Sequence, residues 1–372
     1  MSLRNALGKL VCCVLAAASP LAQTRPVETQ NAAGQFVQAL MERAGIPGMQ
    51  AAVAIDGRLV WSGAFGLADL EQRVPVASST RFRIGSVSKP ITAAALARLV
   101  DEDRIDLDAP IRRYVPSVAS ETMTVRHVAA HLSGVRNYRG AEFVNRTHFE
   151  TVGDAMKVFV GDPLLSAPGE KFAYSSYNYT LLSAAIETAS GQPYLAYLQS
   201  AVLQPLQMNA TVPDTPGPLI PARARWYEKS DGALINAPWV NNSNKWAAGG
   251  LLSSAEDLVR LALGVTAPGY LSPERTRLLF LPQRTTAGEP VSYGIGWRTD
   301  PGGSRQVWHG GESMGGRAFL FLDAESRSVV ALTCNLGAAP FSEKDARDLL
   351  AVVAGMRRQN GVARVPPADV RR

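Results

Sequence analysis

Phe82-Arg-Ile-Gly-Ser-Val-Ser-Lys89 opens onto an alanine- and leucine-rich run that continues to Val100. This composition predicts a helix over Ser86 to Val100. Pro90 is tolerated there because it falls in the first turn, where backbone N–H groups have no intrahelical partner. Positions three apart share a helical face, so the Ser86 hydroxyl and the Lys89 amine come within hydrogen-bonding reach. A serine hydroxyl is a poor nucleophile until a neighbour takes its proton, and a desolvated lysine can do so. Ser86 also follows Arg83-Ile-Gly85 at the helix entrance, where unpaired N–H groups can serve a developing oxyanion. An S-x-x-K string is common in a chain of this size, so placement carries its weight.

Upstream, the apolar positions from Gln30 to Ala44 fit one amphipathic helix, stopped by Gly45-Ile-Pro-Gly48. Met49 to Ile55 and Arg58 to Phe65 read as two strands joined by the Asp56-Gly57 turn, a strong hairpin signal. Downstream, Asp106 to Trp246 reads as helices separated by polar, proline-rich loops such as Val212 to Pro221. Ser254-Ala-Glu-Asp257 resembles a capping box before Leu258 to Leu263. Strand-like runs return at Ser292 to Trp297, Gln306 to His309, Ala318 to Asp323 and Val329 to Cys334, before a last helix from Ser342 to Met356. Strands at both ends with helices between them predict an α+β fold: one antiparallel sheet flanked by helices, interrupted by an all-helical insertion.

The chain has 372 residues, 46% hydrophobic and 19% charged, a profile that excludes disordered, collagenous and membrane-embedded classes. Its net charge of +6 is concentrated at the ends. Arg4 and Lys9 in the first 22 residues, and Arg364, Arg371 and Arg372 against Asp369 after Gln359, account for four of those charges. The remaining +2 argues against a nucleic-acid partner. The first 22 residues join a basic start to an apolar run, Leu10 to Ala18, and small residues ending at Ala22. They read as a secretory signal peptide, too short to span a bilayer, which predicts a periplasmic or secreted protein with no integral membrane span. Removing the leader leaves Cys334 as the one cysteine, so no internal disulfide is expected and a large packed core must supply the stability. Cys334 lies in an apolar run and reads as a buried strand residue. The tail, residues 359–372, reads as a basic, disordered end.

Other motifs compete less well. Gly311-Glu-Ser-Met-Gly315 matches the G-x-S-x-G elbow in letters, but a strand follows it and no histidine occurs beyond His309. The four histidines show no H-E-x-x-H pattern. His127 and His131, four apart, fit one helical face without a third ligand and read as structural. Neither metal nor cofactor is expected.

Taken together, the segment from about Gly45 to Leu336 resembles the serine β-lactamase and penicillin-recognising family, in its class C lactamase, D-alanyl-D-alanine carboxypeptidase and esterase branch. The hairpin, the Phe82–Lys89 stretch, Val125-Arg-His-Val-Ala-Ala-His-Leu-Ser-Gly134, Pro168-Gly169 with Phe172-Ala-Tyr-Ser-Ser176, Trp246 to Ser254, and Trp308-His-Gly-Gly311 carry the likeness. The resemblance implies a β-lactamase/transpeptidase-like fold cut as a discontinuous α/β domain (30–108 plus 246–358) and a helical insertion (109–245). It implies Ser86 as nucleophile, Lys89 and Tyr174 as its proton partners, and His309 bordering the site to shuttle or position a proton. Tyr174, as phenolate or as a relay to Lys89, would take the Ser86 proton. The backbone N–H groups of Ser86 and Glu312 would hold the oxyanion, and Ser176, Gly310, Gly311 and Arg317 would contact substrate.

Three positions depart from the lactamase pattern. Ser176 stands where the family usually has asparagine, and His309 where lactamases carry lysine. Glu312 adds a negative side chain expected beside the pocket, with Arg317 positioned to offset it. These departures point to an exported serine hydrolase that cleaves a peptide or ester through an acyl-enzyme. They resemble the branch of esterases, peptidases and the mitochondrial lactamase-like serine protease. A true β-lactamase, or a sensor that is acylated without turnover, is the alternative.

Overall fold

The Asp56-Gly57 turn adopts left-handed backbone at both positions, φ 53° and 72°, and folds β1 (Gly48–Ile55) onto β2 (Arg58–Asp69) as the sequence predicts. The computed structural model describes residues 31–303 and 305–359; the expected leader, 1–22, and the tail beyond Gln359 lie outside them. Ahead of β1 runs α1 (Ala32–Ala44), capped by the Asn31 side chain on Gly34 N–H and closed by Gly45 in left-handed backbone. After β2 come β3 (Val74–Pro75), β4 (Phe82–Arg83), a 3₁₀ turn at Gly85–Val87 and α2 (Ser88–Asp101).

The middle of the chain carries α3 (Val125–Ala129), α4 (Val152–Met156), α5 (Ser176–Ser190), α6 (Tyr194–Leu198), β5 (Val212–Pro213), β6 (Tyr227–Ser230) and β7 (Ala233–Asn236). Residues 109–245 are therefore mostly short helices joined by long loops, and not all-helical. Their last third contains a hairpin and a short strand that pairs back onto β8 (Leu251–Ser253). Next in order are α7 (Trp246–Gly249), preceding β8, then α8 (Ala255–Val265), α9 (Pro273–Phe280), β9 (Arg298–Thr299), β10 (Gln306–Ser313), β11 (Gly316–Asp323), β12 (Ser328–Cys334) and α10 (Glu343–Gln359).

Seven strands form one antiparallel sheet in the order β3-β2-β1-β12-β11-β10-β9, which joins the two ends of the chain through β1 and β12. Both faces of its centre are covered, and the side-chain alternation of the strands sorts residues between two cores. Ala52, Ala54, Val329 and Ala331 pack toward α2 and α8, whereas Ala51, Val53, Val330 and Leu332 pack toward α1 and α10. Cys334 ends β12 fully buried in the second core, and that burial pushes its thiol up to about 12.

Ser292 to Trp297 is not a strand. Gly296 takes left-handed backbone, the Ile295 N–H donates to Leu279 O at the end of α9 (2.9 Å), and Trp297 is fully buried edge-on against Phe280. The apolar run is buried under a helix instead of being paired in the sheet, a distinction that hydrophobicity alone does not draw. Ser313 ends β10 and Met314-Gly315 turn the chain into β11, so the G-x-S-x-G string is a hairpin and not a strand-to-helix elbow.

Candidate active site

Three elements converge on Ser86. The 3₁₀ turn that carries it leads into α2, so Lys89 lies one turn on with its Nζ 3.1 Å from Ser86 Oγ. The start of α5 brings Ser176, whose Oγ is 3.4 Å from the same nitrogen, and α7 brings the carbonyl of Ala248, which accepts from Lys89 at 2.7 Å. Lys89 is fully buried, and among the described residues no carboxylate pairs with it. Burial, reinforced by the charges of Arg298 and Lys245, holds its ammonium well below the usual lysine range.

Tyr174 stands against this pair, its ring 4.9 Å from Lys89 Nζ and its phenol under the influence of the Ser86 hydroxyl. Burial pushes its phenol up to about 12, only partly offset by Ser86 and by Arg298. Of the two expected roles, phenolate or relay to Lys89, this raised value favours the protonated relay.

His309 on β10 is buried, with its ring centroid 6.3 Å from that of Tyr174. Its Nδ1–H donates to Gly310 O (2.7 Å), which leaves Nε2 to accept from the Tyr293 hydroxyl (3.0 Å). Burial, then the charges of Lys89 and Arg298, keeps the imidazole neutral, its pKa well below the usual histidine value. Both of its ring nitrogens are thus engaged, by Gly310 O and by Tyr293.

The backbone of β10 touches the nucleophile turn directly. A Cβ on Gly85, itself at φ 51°, would lie 2.5 Å from Glu312 N, and one on Gly311 would lie 1.9 Å from Ile84 O. Only glycines allow this approach, which sets the backbone of Glu312 against the turn that carries Ser86, where the sequence expects the two oxyanion donors. The side chains of Glu312 and Arg317 do not point there. They pair with each other at 3.3 Å across β10 and β11, and Arg317 packs on Phe341 beside Cys334, on the sheet face covered by α1 and α10. Gly310 faces the same way, toward Phe319. Strand alternation thus turns the Glu312 and Arg317 side chains away from the pocket in which they were expected. Ser176 directs its hydroxyl to Lys89, and its N–H donates to Asn137 Oδ1 (3.0 Å).

Four residues at the site escape sequence reading. His131 does not share a helical face with His127, because α3 ends at Ala129 and His131 turns away at φ 60°. It lies under Tyr174 with ring centroids 4.3 Å apart, and its Nδ1 accepts from Ser175 N–H and the Asn178 amide. Tyr293 comes from the segment misread as a strand, and Arg298, which opens β9 just after it, lies 5.4 Å over the Tyr174 ring. Lys245, just before α7, is buried between Tyr138 and Phe143 and donates to Phe143 O (2.5 Å).

This sheet, its helical layers and the serine–lysine pair at the head of α2 define a β-lactamase/transpeptidase-like fold, the fold of the solved penicillin-binding proteins it superposes on. The Beta-lactamase family matches residues 33–355, and the chain belongs to that family of serine hydrolases. It is 30% identical over 334 residues to the human mitochondrial serine beta-lactamase-like protein LACTB, a match covering 66% of this chain and 61% of that one. It is 28% identical over 309 residues to a D-aminopeptidase of Gluconobacter oxydans, covering 82% of this chain and 58% of that one. The chain thus spans about three fifths of the length of these curated relatives. Among solved structures, the penicillin-binding protein homologue of Pyrococcus abyssi has a TM-score of 0.74 at 26% identity, over 87% of this chain and 77% of that one. A D-stereospecific amidohydrolase from Streptomyces gives 0.71 at 25%, over 84% and 96%. Among the described residues no helix is long and apolar enough to cross a membrane.

Proposed function

We propose that this chain is an exported serine hydrolase that opens amide or ester bonds through an acyl-enzyme on Ser86, with small peptides or D-aminoacyl derivatives as its substrate class. The observation that carries this reading is the environment of Lys89. A neutral amine has two N–H groups and one lone pair. Ala248 O and Ser176 Oγ take the two N–H groups, and the lone pair is left for the Ser86 hydroxyl at 3.1 Å. Lys89 then receives the serine proton as Oγ attacks the carbonyl, and the N–H groups of Ser86 and Glu312 receive the negative charge on oxygen. Tyr174, kept protonated by its burial, hands its proton to the leaving nitrogen or oxygen and is reprotonated through Lys89. A water then attacks the acyl carbonyl, the same groups acting in reverse. The relatives named as a D-aminopeptidase and a D-stereospecific amidohydrolase support the substrate class. Ser176, in place of an amide side chain, supports an ester or peptide over a β-lactam.

Steady-state kinetics with a p-nitrophenyl ester, a D-aminoacyl p-nitroanilide and a chromogenic cephalosporin test the proposal. Turnover of the first two should exceed that of the third, and Ser86→Ala should lower it by at least ~10³-fold. Undiminished turnover in Ser86→Ala refutes the assignment of the nucleophile.

A further inference from the structure

Arg83 lies outside the reacting groups, yet it holds two chain segments that must keep a fixed separation. It is 4% exposed, on β4, three residues before Ser86. Its Nε donates to Asp214 Oδ2 at 2.7 Å, and its Nη1 donates to the carbonyl of Met314 at 2.9 Å. The guanidinium lies flat over Trp226, its carbon 4.5 Å from the ring centroid. Met314 follows Glu312 by two residues in the β10–β11 turn, so one planar group joins the strand leading to one oxyanion donor with the turn leaving the other.

The same turn has a second tie, because Glu228 on β6 accepts from Gly315 N–H at 2.6 Å. Asp214 also accepts from the Asn242 amide at 2.8 Å, in the loop that leads to Ala248, the carbonyl on Lys89. Burial works against the Arg83 charge and Asp214 supports it.

We propose that Arg83, seated on Asp214, is the positioning residue of the oxyanion hole, fixing the separation of the Ser86 and Glu312 N–H groups through its bond to the Met314 carbonyl. The proposal rests on Ser86 as nucleophile. Its physical basis is the planar fork of arginine, which serves two partners at a set angle; a lysine in its place keeps the charge on Asp214 but cannot also reach Met314. Oxyanion donors act on the transition state and barely on the bound substrate, so a shift in their separation lowers kcat without raising KM.

The test uses the whole chain with Arg83→Lys, Asp214→Asn and Glu228→Gln, each checked for folding by its thermal midpoint. For each variant kcat and KM are measured on a p-nitrophenyl ester, with the inhibition constant of a boronic acid, whose tetrahedral adduct on Ser86 places an oxygen in the hole. Arg83→Lys should lower kcat by about 10- to 100-fold with KM within about threefold, and weaken the boronic acid in proportion to the fall in kcat/KM. Glu228→Gln should give the same pattern at smaller amplitude, and it carries the test should the Arg83 variant fail to fold. An unchanged kcat in a folded Arg83→Lys, or a fall in kcat with boronic acid affinity untouched, overturns the proposal. Turnover surviving in Ser86→Ala would instead overturn the nucleophile assignment, so the two failures are distinguishable.

Discussion

Gly311→Ala places a methyl group where the structure has no room. The new Cβ would lie 1.9 Å from Ile84 O and 2.9 Å from Val87 N, whereas real Cβ contacts essentially never fall below 3.0 Å. Both walls are backbone, so no side chain can swing aside. β10 must retreat from the Gly85–Val87 turn by about 1 Å, the scale on which misplacement costs about 10²-fold in rate. Glu312 follows Gly311 directly, and Ser86 lies between Ile84 and Val87, so the retreat widens the gap between the two oxyanion donors. A lost donor costs about 10²–10³ in kcat. Gly311→Ala should therefore lower kcat on a p-nitrophenyl ester by about 10²-fold or more while KM stays within about threefold. The assay is steady-state kinetics on protein whose far-UV spectrum and thermal unfolding show a folded chain. A folded Gly311→Ala with kcat within threefold of wild type would refute the reasoning.

Two further substitutions probe the groups around the serine. Burial, with the Arg83 charge next, lowers Lys245 to about 7. The folded chain therefore gives up this proton near neutrality, while the unfolded chain keeps it to about pH 10.4. The unfolded state binds more protons across that window, so this site makes stability rise with pH there and depresses it below pH 7. Lys245→Met removes the rise, worth up to about 4 kcal/mol between pH 7 and 10, which urea unfolding at the two pH values reads; parallel pH dependences in both proteins would contradict it. Removing the Lys245 charge also raises Lys89, moving the acid limb of kcat/KM to higher pH. Tyr293→Phe leaves the buried Nε2 of His309 without its donor. It should cost about 1–3 kcal/mol of stability together with a several-fold loss of kcat, measured by unfolding and kinetics, and unaltered values for both would show the bond to be idle.

The readable parts of this chain are those set by local pattern. The Asp56-Gly57 turn, the Ser86–Lys89 spacing and the strand-like runs of β11 and β12 each need only a few consecutive residues, and each stands in the structure as read. What needed the tertiary structure is what distant segments bring. Ala248 and Ser176 reach Lys89 from 159 and 87 residues away, and no spacing rule connects them. His131 looked like half of a helical pair because nothing in Val125 to His131 announces that the helix stops at Ala129. Glu312 and Arg317 looked like pocket residues because they neighbour Gly311 in sequence, but a strand turns successive side chains to opposite faces. Tyr293 was hidden in an apolar run whose glycines bend it under α9, and Arg298 follows that run directly. Charge placement, too, changed its meaning: the basic groups that govern the site are the buried Lys89 and Lys245 together with Arg298, not the basic ends.

The central claim is a covalent bond between the substrate's acyl group and Ser86 Oγ, and intact-mass spectrometry after brief exposure to a p-nitrophenyl ester, with peptide mapping, reads it directly. The account predicts one added acyl mass on the peptide containing Ser86 in the wild-type chain, accumulating in Tyr174→Phe and absent in Ser86→Ala. An adduct on Ser313, or one that persists in Ser86→Ala, would contradict it.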